Sequence, residues 1–522
     1  MNKPLENPGG AAHSDVRVAV RNLLKLGSSL GMTLAIGFLI RPLLRRAMGP
    51  SAFGPYDAAD NFTATWFIVL TLGVDTYVRK EIPTRPQHAN DFWGSVTFLR
   101  VLLSLPIAIG MAVTLWVTHR PPEVMTLVAL LGVFQFFWVT NNSLGALLQA
   151  NTTVDGLSAV SVVTKVAWAG GSLIGVWLGY GVMGIAVASA VSEGVRCVIL
   201  SALCRKHLAL AIKNVAWTPV KVIVLATMPY YLNGIFHTVY NKVDVFLLSV
   251  RAAGRLGEDL GQQETAWYGA ASMLGGLAML VTPLITGVLM PLLARAKEKS
   301  EPEYQALVRR SLELILIIAI PMSLALGLGA TTWLTMMFGP AYAPAGLSLR
   351  LLSPIYVFIY VSIISSVALT LENRAWTLVV ISGTGLVVNL IANLLIQGPA
   401  LDWVGPSGGG AGAAAVQILT ELGVSATMLV LMGKRAFDSR SVNMVVRTAL
   451  VCAVVIGLDW LMQRQGWFLT YTRFVWLPGF CRLLVDGAAY AALVLLFKAV
   501  NPREMIAFLK DALRKKREPA TT

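Results

Sequence analysis

GSVTFLRVLLSLPIAIGMAVTLWV, residues 94–117, and VMTLVALLGVFQFFWVTNNSLGALL, residues 124–148, stand six residues apart and decide the fold. A helix that crosses roughly 30 Å of hydrocarbon needs about 20 predominantly apolar residues, because it must satisfy its own backbone where no water can. Each stretch meets that length and is interrupted by few charges. Strands of a membrane barrel would be shorter and would alternate apolar with polar residues, which these runs do not. The pair therefore predicts two membrane-spanning helices joined by a tight loop.

Outward from this pair the pattern recurs along the chain. Spans are expected near residues 22–40, 58–78, 157–179, 181–203, 222–250, 266–292, 311–334, 347–371, 376–397, 410–433, 446–463 and 479–499, which with the first two makes fourteen. The thirteenth is short and carries Asp459. Over all 522 residues, 56% hydrophobic against 13% charged side chains leaves too few charges to clothe a soluble protein of this size. The expected class is an all-α polytopic membrane protein.

Charge placement tests the count, since Lys and Arg stay in short cytoplasmic loops. With both termini inside, the inner loops and tails hold 27 of the 42 Lys and Arg and the outer loops eight. The net charge of +15 is thus an orientation signal; no basic patch interleaved with aromatics points to nucleic acid. Arg45 and Arg46 read as anchors at the outer interface. The four cysteines, Cys197, Cys204, Cys452 and Cys481, lie apart with no CxxC pair, so neither a disulfide framework nor a zinc site is expected.

Internal repetition gives the domain organisation. Gly184 to Glu193 in the sixth span matches Gly412 to Glu421 in the twelfth, nine residues apart in both, and Tyr56-Asp57-Ala58-Ala59 in the second matches Tyr268-Gly269-Ala270-Ala271 in the eighth. Each pair lies six spans apart. The expectation is a disordered cytoplasmic tail (1–17), an N-terminal six-helix lobe (18–204), a cytoplasmic linker (205–221), a C-terminal six-helix lobe (222–433), two appended helices (434–499) and a basic amphipathic cytoplasmic tail (500–522).

Arg45-Arg46-Ala47-Met48-Gly49-Pro50-Ser51-Ala52-Phe53-Gly54-Pro55-Tyr56 resembles the element that follows helix 1 in polysaccharide-export flippases of the multidrug/oligosaccharidyl-lipid/polysaccharide exporter superfamily. Asn241 to Leu248 followed by Trp267 to Ala271, then Met337 to Tyr342, Asn389 to Asn393 and Gly410 to Ala414 are similar to that family's further elements, in the same order. The likeness covers about residues 18–435; Met48 in place of the usual Leu and a loop expected between residues 250 and 266 depart from it. The resemblance implies a flippase moving an undecaprenyl-pyrophosphate-linked oligosaccharide from the cytoplasmic to the periplasmic leaflet of a bacterial inner membrane by alternating access of two lobes. It implies membrane lipids, a polysaccharide polymerase and a chain-length regulator as partners, no cofactor, and H⁺ or Na⁺ as a coupling ion. A cation-coupled multidrug exporter of the same superfamily is the alternative. A polytopic glycosyltransferase or ligase fits less well, since no outer loop exceeds about sixteen residues. The expectation is a transporter and not an enzyme.

A diphosphate headgroup needs a polar, partly cationic path, since even one charge at the bilayer centre costs at least about 2.5 kcal/mol. Tyr230, Asn233, His237, Asn241 and Asp244 recur at steps of three and four, which would put them on one face of the seventh span with Lys242 on its flank. That stripe reads as a cavity wall or as a polar seam between helices. Gln135, Trp138, Asn142 and Gln149 repeat the theme in the fourth span. By resemblance Lys25 and Arg41 of helix 1 are candidate phosphate contacts, with Asn61 of helix 2 beside them; Lys25 could equally snorkel to the headgroups. Asp75, Glu193 and Glu421 stand open between ion coupling and structural pairing, Glu193 having Arg196 three residues on.

Overall fold

The computed structural model describes residues 8–73, 78, 88–150, 154–208, 217–433, 436–467 and 476–497; the side chains of residues 8–26, 88–92, 150, 154, 155, 207, 208, 217–220 and some positions between 222 and 291 lie outside the description. Asp75, the side chain of Lys25 and the basic tail 500–522 lie outside them. Among the described residues there is no strand, and ten helices are long and apolar enough to cross a membrane; a bent pair, Pro340–Leu352 with Ile355–Leu371, makes an eleventh span. Their outward side chains are apolar: Trp177, Leu395 and Val430 are among the most exposed. A surface of that kind belongs against acyl chains.

The chain folds as two compact units, residues 1–266 and 267–522. The first contains α1 (Pro8–Met48), α2 (Pro50–Phe67), α3 (His88–Val117), α4 (Pro122–Ala150), α5 (Val154–Trp177), α6 (Gly181–Leu208), α7 (Trp217–Tyr240) and α8 (Val243–Leu256). Helix α9 (Glu258–Gly275) carries the chain into the second unit, which holds α10 (Thr282–Lys299), α11 (Glu301–Leu328), α12 (Ala330–Phe338), α13 (Gly346–Leu352), α14 (Ile355–Leu371), α15 (Ala375–Val404), α16 (Gly408–Met432), α17 (Ser439–Arg464) and α18 (Leu477–Leu496). Helix α1 starts at Pro8, so part of the stretch expected to be a disordered tail is helical. The loop expected between residues 250 and 266 is helical too, apart from the turn at Gly257 (φ 84°).

Three expected spans are broken helices, which is why hydropathy and length alone do not count them. The second runs as α2 and then a 3₁₀ turn, Ile68–Thr71, ending at left-handed Leu72. The eighth repeats that design, with α9, a 3₁₀ stretch Gly276–Val281 and α10. Both α2 and α9 have 18 residues and each follows a glycine at positive φ, Gly49 and Gly257. The turn before α6 (Gly179 φ 86°, Gly181 φ 56°) likewise matches the one before α16 (Gly405 φ 76°, Ser407 φ 76°). These paired irregularities carry the six-span repeat into the backbone.

The seventh span breaks at Asn241-Lys242, so the predicted stripe does not lie on one continuous helix. Asn241 Nδ2 donates to the His237 carbonyl (2.8 Å), which also accepts the Asn241 amide (3.3 Å) as the helix ends. Beyond the break Asp244 opens α8, and its carboxylate accepts the Val245 amide (2.8 Å) from a buried position.

Candidate functional site

The family-like stretch after α1 acquires its physical reasons at the α1–α2 corner. Gly49 takes the left-handed turn and Pro50 starts α2 at a position where its missing N–H costs nothing. Arg45 turns inward, 5% exposed, to ion-pair with Asp57 (2.5 Å) while its guanidinium lies 4.8 Å from the Phe53 ring centroid. Arg45 is therefore not the interfacial anchor the sequence predicts. Gly54 meets the backbone of Gln262 so closely that a side chain there would collide with the carbonyl. Arg45, Asp57 and Gly54 thus fix α2 rigidly and present Tyr56 and Asp60 to the interior of the unit.

That interior holds a cavity of about 630 Å³ within the first unit, walled by α1, α2, α4, α5 and α6. Its charges are Arg41, Lys165 and Arg196 against Asp60 and Glu193. Tyr56, Phe134, Trp138 and Trp168 supply aromatic surface, and Asn141, Asn142 and Gln149 supply amides. Lys165 Nζ sits 3.8 Å from the Trp168 ring centroid, and the indole N–H donates to Ser189 Oγ (3.0 Å), which holds the ring in place. Glu193 accepts from Asn141 Nδ2 (2.7 Å) and pairs with Arg196 (3.3 Å), whose other nitrogen reaches Ser161 Oγ (3.3 Å). Excess positive charge, aromatic faces and amides in one concavity suit an anionic ligand that carries sugars.

Placement of the predicted residues is uneven. Arg41, Glu193 and Arg196 come together in the cavity, joined by Trp138, Asn142 and Gln149 from the weaker fourth-span pattern; Gln135 lies behind, 3.5 Å from Asp60. The seventh-span residues Tyr230, Asn233, His237, Asn241, Lys242 and Asp244 do not line it. Lys242 instead donates to Asn61 Oδ1 (3.2 Å), and Asn61 Nδ2 to the Asp57 carbonyl (2.9 Å), so two predicted residues meet beside the Arg45–Asp57 pair. Tyr230 is largely exposed, and the His237 ring packs edge-on to buried Tyr240. Lys165 was missed because a single Lys among apolar residues has no periodic partner; its spacing of three from Trp168 was the available signal. In the second unit Glu421 is wholly buried beside Thr420, on α16. No cluster of His, Cys, Asp or Glu among the described residues could hold a metal.

Membrane-length helices in two units, with a charged cavity in the first, define an all-α polytopic membrane protein. By sequence, the family model described as polysaccharide biosynthesis protein matches residues 19–297, and the chain belongs to that family. Among solved structures the fold is similar to the lipid II flippase MurJ in its inward closed conformation (TM-score 0.60, 13% identity, 93% of this chain and 100% of that one). It is also similar to an inward-facing multidrug resistance MATE family transporter of the MOP superfamily (0.56, 15%, 78% and 98%). A third likeness is to a MOP superfamily transporter from Pyrococcus furiosus whose binding pocket is described as reversed in polarity (0.55, 14%, 79% and 95%). No curated protein matches the chain in sequence.

Proposed function

We propose that this protein flips an undecaprenyl-pyrophosphate-linked oligosaccharide from the cytoplasmic to the periplasmic leaflet of a bacterial inner membrane by alternating access, and that it performs no chemistry on its cargo. The carrying observation is the cavity of the first unit, where Arg41, Lys165 and Arg196 outnumber Asp60 and Glu193 and stand among Trp138, Trp168 and three amides. A diphosphate finds charge-assisted donors there, and sugar rings find flat apolar faces with amides at their edges. Membership of a polysaccharide biosynthesis family supports the glycan. Lys242, which donates to Asn61 on α2, is a further candidate contact, and Lys25 is one by resemblance.

Cation-coupled drug export is the second reading, favoured by the likeness to MATE transporters. A lipophilic cation would meet net positive charge in this cavity, which argues against it. Surface polysaccharide and dye sensitivity separate the two. Lys165→Ala should lower surface polymer while the protein stays in the membrane and dye resistance is unchanged; intact polymer with new dye sensitivity would favour the exporter.

A further inference from the structure

The two helices beyond the repeated lobes carry a charge cluster that transport through the lobes does not use. Helix α18 lies with most of its surface outward, and among its twenty residues the one buried side chain is Asp486, 3% exposed. Both of its carboxylate oxygens are buried without a hydrogen-bond donor. An amphipathic helix ordinarily buries its apolar side and leaves acids at the ends; α18 does the reverse at mid-length.

Asp459 of α17, 5% exposed, and Arg482 of α18 are the charged groups that act on Asp486. Arg482 Nε lies 3.4 Å from Asp459 Oδ1, and Gln463 Nε2 donates to Asp459 Oδ2 (2.5 Å). Arg482 therefore serves Asp459, and Asp486 faces the pair from one turn along its own helix. Helix α18 also packs against α11 and α12. The titratable groups on those helices are Glu301, Glu303, Tyr304, Arg309, Arg310 and Glu313, all in the first half of α11 and away from the contacts of Leu483 with Gly329 and of Gly479 with Thr332, while α12 has none. On α17 and α18 themselves Cys452, Cys481 and Tyr490 supply no positive charge, Arg464 lies over the Trp460 ring (5.3 Å to its centroid), and Arg440 and Arg447 stand near the opposite end of α17.

The electrostatic sum is decisive. Among the described residues, two carboxylates and one guanidinium leave one negative charge in an apolar seam, and a buried unpaired charge is among the most costly features a helix pair can carry. Two carboxyl groups in one low-dielectric site do not both ionise; they hold one proton between them. With that proton the cluster is neutral. Two carboxyls crowded by a guanidinium offer too few oxygens for a metal, and no described group of His, Cys, Asp and Glu makes one.

We infer that Asp459 and Asp486 form a proton-binding site between α17 and α18, holding one proton that Arg482 counterbalances. Release of the proton leaves a net negative seam and weakens the packing of the two helices, so this site lies where a proton gradient can act on them. The inference goes beyond glycan flipping and stands or falls without it, because its test needs no substrate.

The test is infrared spectroscopy of the full-length protein in lipid nanodiscs at neutral pH, in H₂O and D₂O, reading the isotope-sensitive C=O stretch of a protonated carboxyl. Wild type should show it, and Asp486→Asn should abolish it. Asp459→Asn should abolish it too, since Asp486 would then pair with Arg482 as a carboxylate. Arg482→Gln should raise it about twofold as both acids take protons. Because Asn has the shape of the protonated acid, Asp486→Asn should fold, and its thermal unfolding should lose the decline that wild type shows with rising pH. No band in wild type, or a band that survives in Asp486→Asn or in Asp459→Asn, would overturn the site; a sodium-dependent rise in thermal stability with no band would replace the proton by a metal ion.

Discussion

Helices α5 and α6 of the first unit and α15 and α16 of the second derive from matching spans, yet one pair encloses space and the other is filled. Gly184 to Glu193 and Gly412 to Glu421 have the same spacing, and the two helices of each pair are joined through a turn with two residues at positive φ. In the first unit Ser161, Thr164, Lys165 and Trp168 border the cavity, and Glu193 at its edge is satisfied by Asn141 and Arg196. In the second, Gln397 donates to Asn393 (2.9 Å), Asn393 to Asn389 (2.9 Å), and Asn389 to Thr420 (3.2 Å) and Gln417 (3.5 Å), all of them buried. Amides at steps of four make a ladder along one face of α15 that serves as its own solvent. Duplicated helices can thus hold a ligand site in one copy and a solid polar core in the other, depending on whether the facing side chains satisfy each other.

If the first pair walls a binding cavity, removing one of the cavity's cations must cost function and spare stability. Lys165→Ala and Arg41→Ala are each expected to reduce glycan translocation by roughly 10- to 100-fold, the value of a charge-assisted hydrogen bond of about 1.5–3 kcal/mol. Thermal unfolding should stay near wild type because both lie on an open cavity wall. A transport assay that finds either variant active would reduce the first pair to packing. The ladder should behave in the opposite way. Asn393→Leu leaves buried partners on both sides unsatisfied, at a cost of about 1–3 kcal/mol each, so folded protein should fall sharply while transport per folded molecule changes little. A stable but inactive Asn393→Leu protein would make the ladder a second binding site.

Glu193 sharpens the contrast from the other direction. Its carboxylate is shared by Asn141 and Arg196, and both can be served by an amide oxygen. Glu193→Gln should therefore keep most of its transport and lose under about 1 kcal/mol of stability, the range of a part-exposed ion pair. Abolished ion dependence in proteoliposomes would instead identify Glu193 as a coupling group.

The span pattern and the repeat were legible because hydropathy and small-residue runs are local signals. Breaks were not. The seventh span reads as one continuous run, and its interruption comes at Asn241-Lys242, where the Lys242 amide turns to the Val239 carbonyl (3.1 Å) and its side chain to Asn61. Arg45 looked like an anchor because its partner, Asp57, lies across a turn whose direction is set by Gly49. For the site, the stronger stripe of seventh-span residues went to the Asn61 contact and to helix ends, whereas the weaker fourth-span pattern became cavity wall. Periodicity identifies a polar face; which neighbour that face meets is decided by tertiary packing.

Asp438 sets the floor against which these effects are measured, since it lies outside both helix pairs, is exposed, and bonds chiefly to Ser441 three residues on. It caps α17 by accepting the Ser441 amide (2.8 Å), and this hydrogen bond holds its carboxyl below the ordinary value. A depressed folded-state value means that the cap's contribution is present above the unfolded-state titration near about pH 4 and fades as acid protonates the folded carboxylate. Loss of such a cap costs about 1 kcal/mol. Asp438→Ala should accordingly speed hydrogen exchange in the first turn of α17 at neutral pH, with no change in transport. In wild type the same acceleration should appear only below about pH 4, and the variant should be indifferent to acid at this turn. Ser441 also donates to Glu313 (2.6 Å), so part of the helix start is held from α11 and the local effect stays small. An effect of Asp438→Ala as large as that of Asn393→Leu would mean that the start of α17, rather than the amide ladder, limits the stability of the second unit.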